Sequence, residues 1–389
     1  MKQGERLSIL DGFRFLAILP VLLYHFYSRW TTPLADKSYY PFGNSYSRLF
    51  LYGNLGVAFF FIISGFVIFY TLETCKTYGD FLAKRFIRLF PAMLLCSVIT
   101  FILVPLLDPT NAYPAFHSKS AANFIPSLTF SSPYIWNQLY ETTAINYISG
   151  SYWSLWVEVS FYILAGGLFF INKERFVTNW LYAVLAILLI TRGASFLTGN
   201  NIVTHEKSAA AFGFLNKIIT ADRVLQLNPS GYNLYFSLGI IFYCLYSGKR
   251  LSYLNYSVIA GLVFFNVRQS LPGHIVILFL MSALFFVFIY KPRYLHFLES
   301  RFIVRIGIAS YSLYLIHECI GVILIGKIAA FISIPYLYGL IPLLVIAIMI
   351  AFSLFEYNLF EKPAIRLLRK IFAFKWKENK FSSSILRRE

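Results

Sequence analysis

Acidic side chains are scarce in this sequence. Asp and Glu total 17 against 34 Lys and Arg, and residues of both signs make up only 13% of the chain, about half the share of an ordinary soluble domain. So little charge excludes a free-standing soluble enzyme. Cysteine is scarce as well. Of the four, Cys96, Cys244 and Cys319 fall inside apolar runs and Cys75 sits in a short polar loop, which argues against disulfides across exterior loops. No internal repeat or low-complexity stretch is present. His117, His205, His274 and His296 lie in loops or at the ends of apolar runs and show no metal-ligand spacing. The first apolar stretch follows Lys2 and Arg6 but carries Arg14 and His25 and has no small-residue cleavage site, so it reads as a first membrane helix and not as a removable leader.

What the chain has in abundance is apolar length. Of 389 residues, 58% are hydrophobic and 19% aromatic, with a mean hydropathy of +0.65. Windows of about 17 to 25 residues place ten spans near 12–30, 51–72, 86–106, 151–171, 178–197, 231–247, 255–270, 274–290, 306–328 and 338–360. The expected fold is therefore all-α, a polytopic membrane protein of about ten transmembrane helices. The excess of 17 positive charges then has a topological meaning. With the amino terminus inside, 23 of the 34 basic residues fall in cytoplasmic segments, ten on the exterior side, and Arg14 within a span, which predicts both termini in the cytoplasm and makes nucleic acid no expected partner. One continuous membrane domain covers 1–360, followed by a basic cytoplasmic tail over 361–389. That tail, with scattered apolar residues and Trp376, reads as amphipathic and lying on the lipid surface. Three exterior segments, 31–50, 107–150 and 198–230, are long enough to form a recognition surface.

Ionisable groups inside spans are expensive and are functional candidates by default. Arg14 and His25 are eleven residues apart, three turns plus roughly 20°, so they share a face about 16 Å apart along the axis, with Pro20 between them. Against a functional pair stands an interfacial anchor and a packed imidazole. Arg85 and Arg88, in KRFIRLFPAMLL, lie about 60° apart and can fork onto a phosphate or anchor the span at the inner surface. Glu158, in SYWSLWVEVSFYIL, is expected at a depth similar to His25. It can hold the imidazole as in a triad, or form a structural ion pair with an arginine. Ser64-Gly65-Phe66 interrupts an apolar run, either for close helix packing or to present the Ser64 hydroxyl to a ligand. His317 and Glu318 make a second polar locus midway along the ninth span.

These residues lie in motifs that resemble the family-3 integral-membrane acyltransferases, ten-span enzymes that O-acylate bacterial surface sugars and other exported or lipid-linked acceptors. The resemblance covers about residues 10–370. It runs through LDGFRFLAILPVLLYHF, NLGVAFFFIISGF, RFIR, WSLWVEVSFY, SYSLYLIH and FEKPAIRLLRK, six motifs in order. Departures are Phe15, where a small residue is usual, and Val159, where a second polar residue is common. The resemblance implies a multi-pass protein of the bacterial inner membrane that takes an acyl group, commonly acetyl, from cytoplasmic acyl-CoA and delivers it to an exterior hydroxyl. The leading acceptor is a surface-polysaccharide sugar such as that of lipopolysaccharide, with no metal involved. It places His25 as general base and Glu158 as its orienting carboxylate. Arg14, Arg85, Arg88 and Ser64 would bind acyl-CoA, with Asp11, Trp153, Tyr311 and His317 in support. Some members carry a fused carboxy-terminal hydrolase-like domain; the residues after 360 leave no room for one, so transfer is expected to be direct or to need a separate exterior partner protein. The rival from another class is a proton-coupled secondary transporter relaying through His25, Glu158 and Arg14, for which the two related halves with broken helices are not apparent.

Overall fold

The computed structural model describes residues 5–31, 38–118, 120–200, 202, 208–225, 232–268 and 270–372. Lys2, Lys37, Lys119, His205, Lys207 and the end of the basic tail from 373 lie outside the described residues. Within them the chain is helical with no strand, and eight helices are long and apolar enough to cross a membrane.

In chain order, α1 is Glu5–Tyr27, α2 Gly56–Thr74 and α3 Tyr78–Leu107. Short helices α4 (Phe124–Thr129) and α5 (Pro133–Leu139) follow, then α6 (Trp153–Ile171), α7 (Phe176–Gly199) and α8 (Ala209–Leu225). The chain continues through α9 (Leu234–Ser247), α10 (Tyr253–Arg268), α11 (Pro272–Tyr290), α12 (Arg301–Ala329) and α13 (Ile341–Glu356). A wide π-helical turn, Tyr357–Glu361, joins α13 to α14 (Lys362–Ile371). The face where α1 starts is termed the near face, and the one where it ends the far face.

A helix answers each of the ten expected spans, but two are short; α13, also 16 residues, is continued by helical turns at both ends over Pro335–Ile371. At 1.5 Å per residue, the 14 residues of α9 and 16 of α10 give about 21 and 24 Å, less than a hydrocarbon core of about 30 Å. For α9 the reason is enclosure: Leu234, Phe236, Ser237 and every residue from Gly239 to Cys244 are buried, so it meets protein rather than lipid. The expected loop 198–230 in turn contains α8, packed against α7, and 107–150 contains α4 and α5.

α2 and α12 are the most enclosed of the long helices. α12 runs parallel to α1, with Gly307 under the Asp11 carbonyl and Gly321 against the Phe26 ring. α2 runs antiparallel to α1 and parallel to α9. A Cβ at Gly65 would overlap the Phe236 carbonyl and one at Gly239 the Ile62 carbonyl, so two glycines let these backbones touch. Ser64-Gly65 thus divides its labour: the glycine packs against α9 while the serine points elsewhere.

Candidate functional site

His25 sits in the last turn of α1, with one hydrogen bond to its ring and one to its backbone. Nδ1 lies 2.9 Å from the Val21 carbonyl, an acceptor only, so Nδ1 carries the proton in the neutral ring and the Nε2 lone pair is left free. The backbone is fixed from the far face, where Tyr40 donates to the His25 carbonyl at 2.6 Å and accepts from the Trp30 N–H at 3.0 Å.

α12 supplies the facing groups. The His317 ring stands edge-on to that of His25, centroids 4.7 Å apart at 85°, and its Nδ1 lies 2.6 Å from the Tyr314 carbonyl. His317 therefore repeats the same tautomer, and its Nε2 is buried without a hydrogen-bond partner. Glu318 Oε1 lies 3.7 Å from His25 Nε2, beyond hydrogen-bond length, and Glu318 Oε2 is also buried without a partner. Two imidazole lone pairs and a carboxylate thus share one enclosed space with hydrogen-bonding capacity unspent. A short helical turn, Gly150–Tyr152, closes over it: a Cβ at Gly150 would lie 3.2 Å from Glu318 Oε2. Tyr314, whose hydroxyl meets Ser154 Oγ at 2.8 Å and donates to the Ser151 carbonyl at 2.9 Å, ties α12 to that turn.

The carboxylate beside His25 is Glu318 and not, as the sequence suggested, Glu158. Ser64 Oγ donates to Glu158 Oε1 at 2.6 Å, and the Tyr162 hydroxyl donates to the same oxygen. Among the described residues Glu158 has no arginine in an ion pair either. Glu158 does not share the depth of His25: Gly56 of antiparallel α2 lies against Val21, and Ser64, which holds Glu158, is eight residues nearer the near face. The depth match belongs to Glu318, residue 13 of the expected span 306–328, with His25 residue 14 of 12–30. That match was available in the sequence; the adjacency of the first and ninth spans was not.

Nearer the start of α1, the basic residues are unequally engaged. Arg14 is ion-paired with buried Asp11 one turn away. Arg88 is paired with Glu361, a fully buried residue whose second oxygen accepts from Ser312 Oγ at 2.7 Å. Its guanidinium also lies 5.7 Å from the Tyr311 ring, and the Tyr311 hydroxyl donates to the Leu89 carbonyl at 3.1 Å. Arg85 has no carboxylate in an ion pair among the described residues. It donates from Nη2 to Thr71 Oγ1 at 2.7 Å and lies 5.8 and 5.9 Å from the Phe81 and Tyr162 rings, with its Nε buried and unpartnered. Trp153, at the start of α6, packs on Tyr232, ring centroids 5.0 Å apart. Glu361 was placed in the tail by its sequence position, yet it is part of the bundle.

The far-face segment after α3 has its own polar anchor. Asp108 accepts from the Ala112 and Tyr113 N–H groups and pairs with His117 Nε2, all at 2.9 Å. Burial pushes the Asp108 carboxyl up, but these three donors together hold it below its usual range.

A family model described as an acyltransferase domain matches residues 7–356. The O-acetyltransferase OatA of Staphylococcus aureus strain MRSA252 is 25% identical over 97% of this chain and 60% of its own length. OatA of strain NCTC 8325 matches with the same identity and coverage. The chain thus spans about 60% of the length of these curated relatives. No solved structure matches significantly.

Proposed function

The chain belongs to the acyltransferase family whose model it matches, and from that premise we propose that it moves an acetyl group from acetyl-CoA to an acceptor hydroxyl, with His25 as general base. The donor enters from the near face, read as cytoplasmic from the distribution of basic residues. The acceptor, a carbohydrate of the cell surface or a lipid-linked precursor, waits at the far face of the inner membrane.

One observation carries this reading: the Val21 carbonyl fixes the His25 tautomer so that Nε2 is a free base, facing a carboxylate with hydrogen-bonding capacity to spare. His25 Nε2 takes the acceptor O–H proton as the oxygen attacks the thioester carbonyl. The C–S bond breaks, and the imidazolium returns the proton to the departing thiolate, leaving free thiol and an O-acetyl ester. Glu318 stabilises the transient imidazolium. His317 Nε2, an acceptor within the same space, takes the O–H of a neighbouring, non-reacting hydroxyl of the acceptor and so orients it. At the near face Arg85, the arginine without an ion-paired carboxylate, meets the donor phosphates, with Arg14 and Arg88 adding charge through the part of each side chain that stays exposed, 31% and 36%.

The test is transfer of label from radiolabelled acetyl-CoA in membranes containing the full chain. Base-labile O-acetyl ester should form with the native protein and not with His25→Ala inserted to the same level. Undiminished ester formation by that variant would remove His25 as the base.

A further inference from the structure

On α2 from Gly56 to Leu72 every residue is buried except Phe60, Ser64, Val67 and Tyr70. Steps of four, three and three residues put all four within about 120° of one helix face. α2 is packed by α1, α6 and α9, and this one accessible stripe has identifiable neighbours. Phe60 faces Tyr314 of α12, ring centroids 6.4 Å apart. Ser64 faces Glu158 of α6. Tyr70 reaches Tyr243 of α9, ring centroids 6.2 Å apart, and the buried Thr71 next to it receives Arg85 of α3.

The stripe therefore lines a narrow seam among α2, α12, α6 and α3. It starts beside Tyr314, whose carbonyl holds His317, and ends at the guanidinium with no ion-paired carboxylate. From Phe60 to Thr71 is eleven residues, about 16 Å, and Ser64 lies about 6 Å along it. Glu158, bound to Ser64, stands between the two polar ends. A carboxylate in an otherwise apolar stretch of such a seam is costly unless something polar passes it. Both hydroxyl donors converge on its Oε1, and among the described residues no donor is bound to Oε2.

We propose that Glu158, set by Ser64 and Tyr162, is a subsite for the amide groups of the donor's pantetheine arm, with Oε2 accepting an amide N–H as the arm lies along the α2 seam. This rests on the acetyl-CoA reading above. It makes Glu158 a donor-binding residue and not an orienting group for His25. The arm is the part of coenzyme A that suits the place: slender, long enough to join a phosphate site to a distant reacting carbon, and carrying secondary amides whose N–H groups must be satisfied when water is excluded.

The test is binding to the full-length protein in lipid nanodiscs, measured with acetyl-CoA and with adenosine 3′,5′-bisphosphate, which carries adenosine and phosphates but no arm. Glu158→Ala should weaken acetyl-CoA binding about tenfold, equivalent to about 1.4 kcal/mol, and leave the bisphosphate affinity unchanged. Ser64→Ala, a milder change that keeps the carboxylate, should weaken acetyl-CoA about threefold with the same selectivity, and Arg85→Ala should weaken both ligands. Loss of both ligands in Glu158→Ala and Ser64→Ala, or no loss of either, overturns the subsite. If the native protein binds neither ligand, it is the acetyl-CoA reading that has failed, and the subsite falls with it.

Discussion

Two polar clusters meet α12, one on each side of its middle, and they are finished to different degrees. At Tyr311 and Ser312 the Arg88–Glu361 pair is complete: both Glu361 oxygens are bound, one by a guanidinium and one by a hydroxyl. At His317 and Glu318, about 9 Å further along the helix, Nε2 of one residue and Oε2 of the other are buried and unmatched. Buried polar atoms are nearly always paired, and an unpaired one costs about 1–3 kcal/mol. The closed Arg88–Glu361 pair behaves as a fastener, although Glu356 beside it carries two buried oxygens without a partner among the described residues. The open His317–Glu318 cluster differs in that its unmatched atoms face the free Nε2 of His25.

Substitutions can break or sharpen that contrast. The largest effect belongs to the open cluster: His25→Ala should lower acetyl transfer by at least about a hundredfold, the usual worth of a general base, with little change in the thermal midpoint in detergent. Glu318→Gln should cost less, about tenfold in kcat, because the Val21 carbonyl and not the carboxylate sets the His25 tautomer; a loss as deep as that of His25→Ala would show that Glu318 fixes the ring after all. In the closed cluster the signature should reverse. Glu361→Gln should lower unfolding free energy by about 2 kcal/mol, less than the ~3–5 kcal/mol of a fully buried pair because the Arg88 side chain is 36% exposed. Whatever transfer that variant loses should follow the fraction left folded. Retained stability would mean the pair is not the fastener described.

The smallest effect lies outside both clusters. The Asp108 carboxyl is held below its usual range, so its contribution is present above the ordinary carboxylate pKa of about 3.9 and disappears as pH falls through the lower folded value. Proteolysis of the 108–118 segment should therefore accelerate as pH falls below about 4. Asp108→Asn should cleave faster at neutral pH with that acid dependence gone. An unchanged acid response in Asp108→Asn would assign it to another group.

Depth along a span proved readable from sequence for α1 and α12 and not for Glu158 of α6, and neighbourhood was not readable. Arg14, His25 and Glu318 could each be placed on an axis by counting residues, because 1.5 Å per residue is fixed by the backbone. Which spans touch is decided by side chains meeting across helices, so Glu158 was matched to His25 when α12 occupies that side of α1. Gly65 and Ser64 were singled out by composition: the glycine serves close packing against α9, and the serine hydroxyl is bound to Glu158. The shortness of α9 was hidden because an apolar run looks alike facing lipid or protein. Glu361 was unreadable for a different reason: its sequence is that of a basic surface tail, and only a change in helical winding brings it inward.

That winding has a consequence for how this part of the chain tolerates change. A π-helical turn takes up one more residue than the α-helical turn it replaces while leaving the phase of the helix beyond it nearly unchanged, so Tyr357–Glu361 carries an extra residue without redirecting α14. Rewinding that turn as α-helix at full length would rotate all that follows by about 100°, carrying Glu361 away from Arg88 and turning Arg366 and Arg369 to another side, whereas deleting one of its residues would restore a continuous α-helix with α14 close to its present phase. The winding of the segment, more than its residue count, is what keeps Glu361 in the bundle.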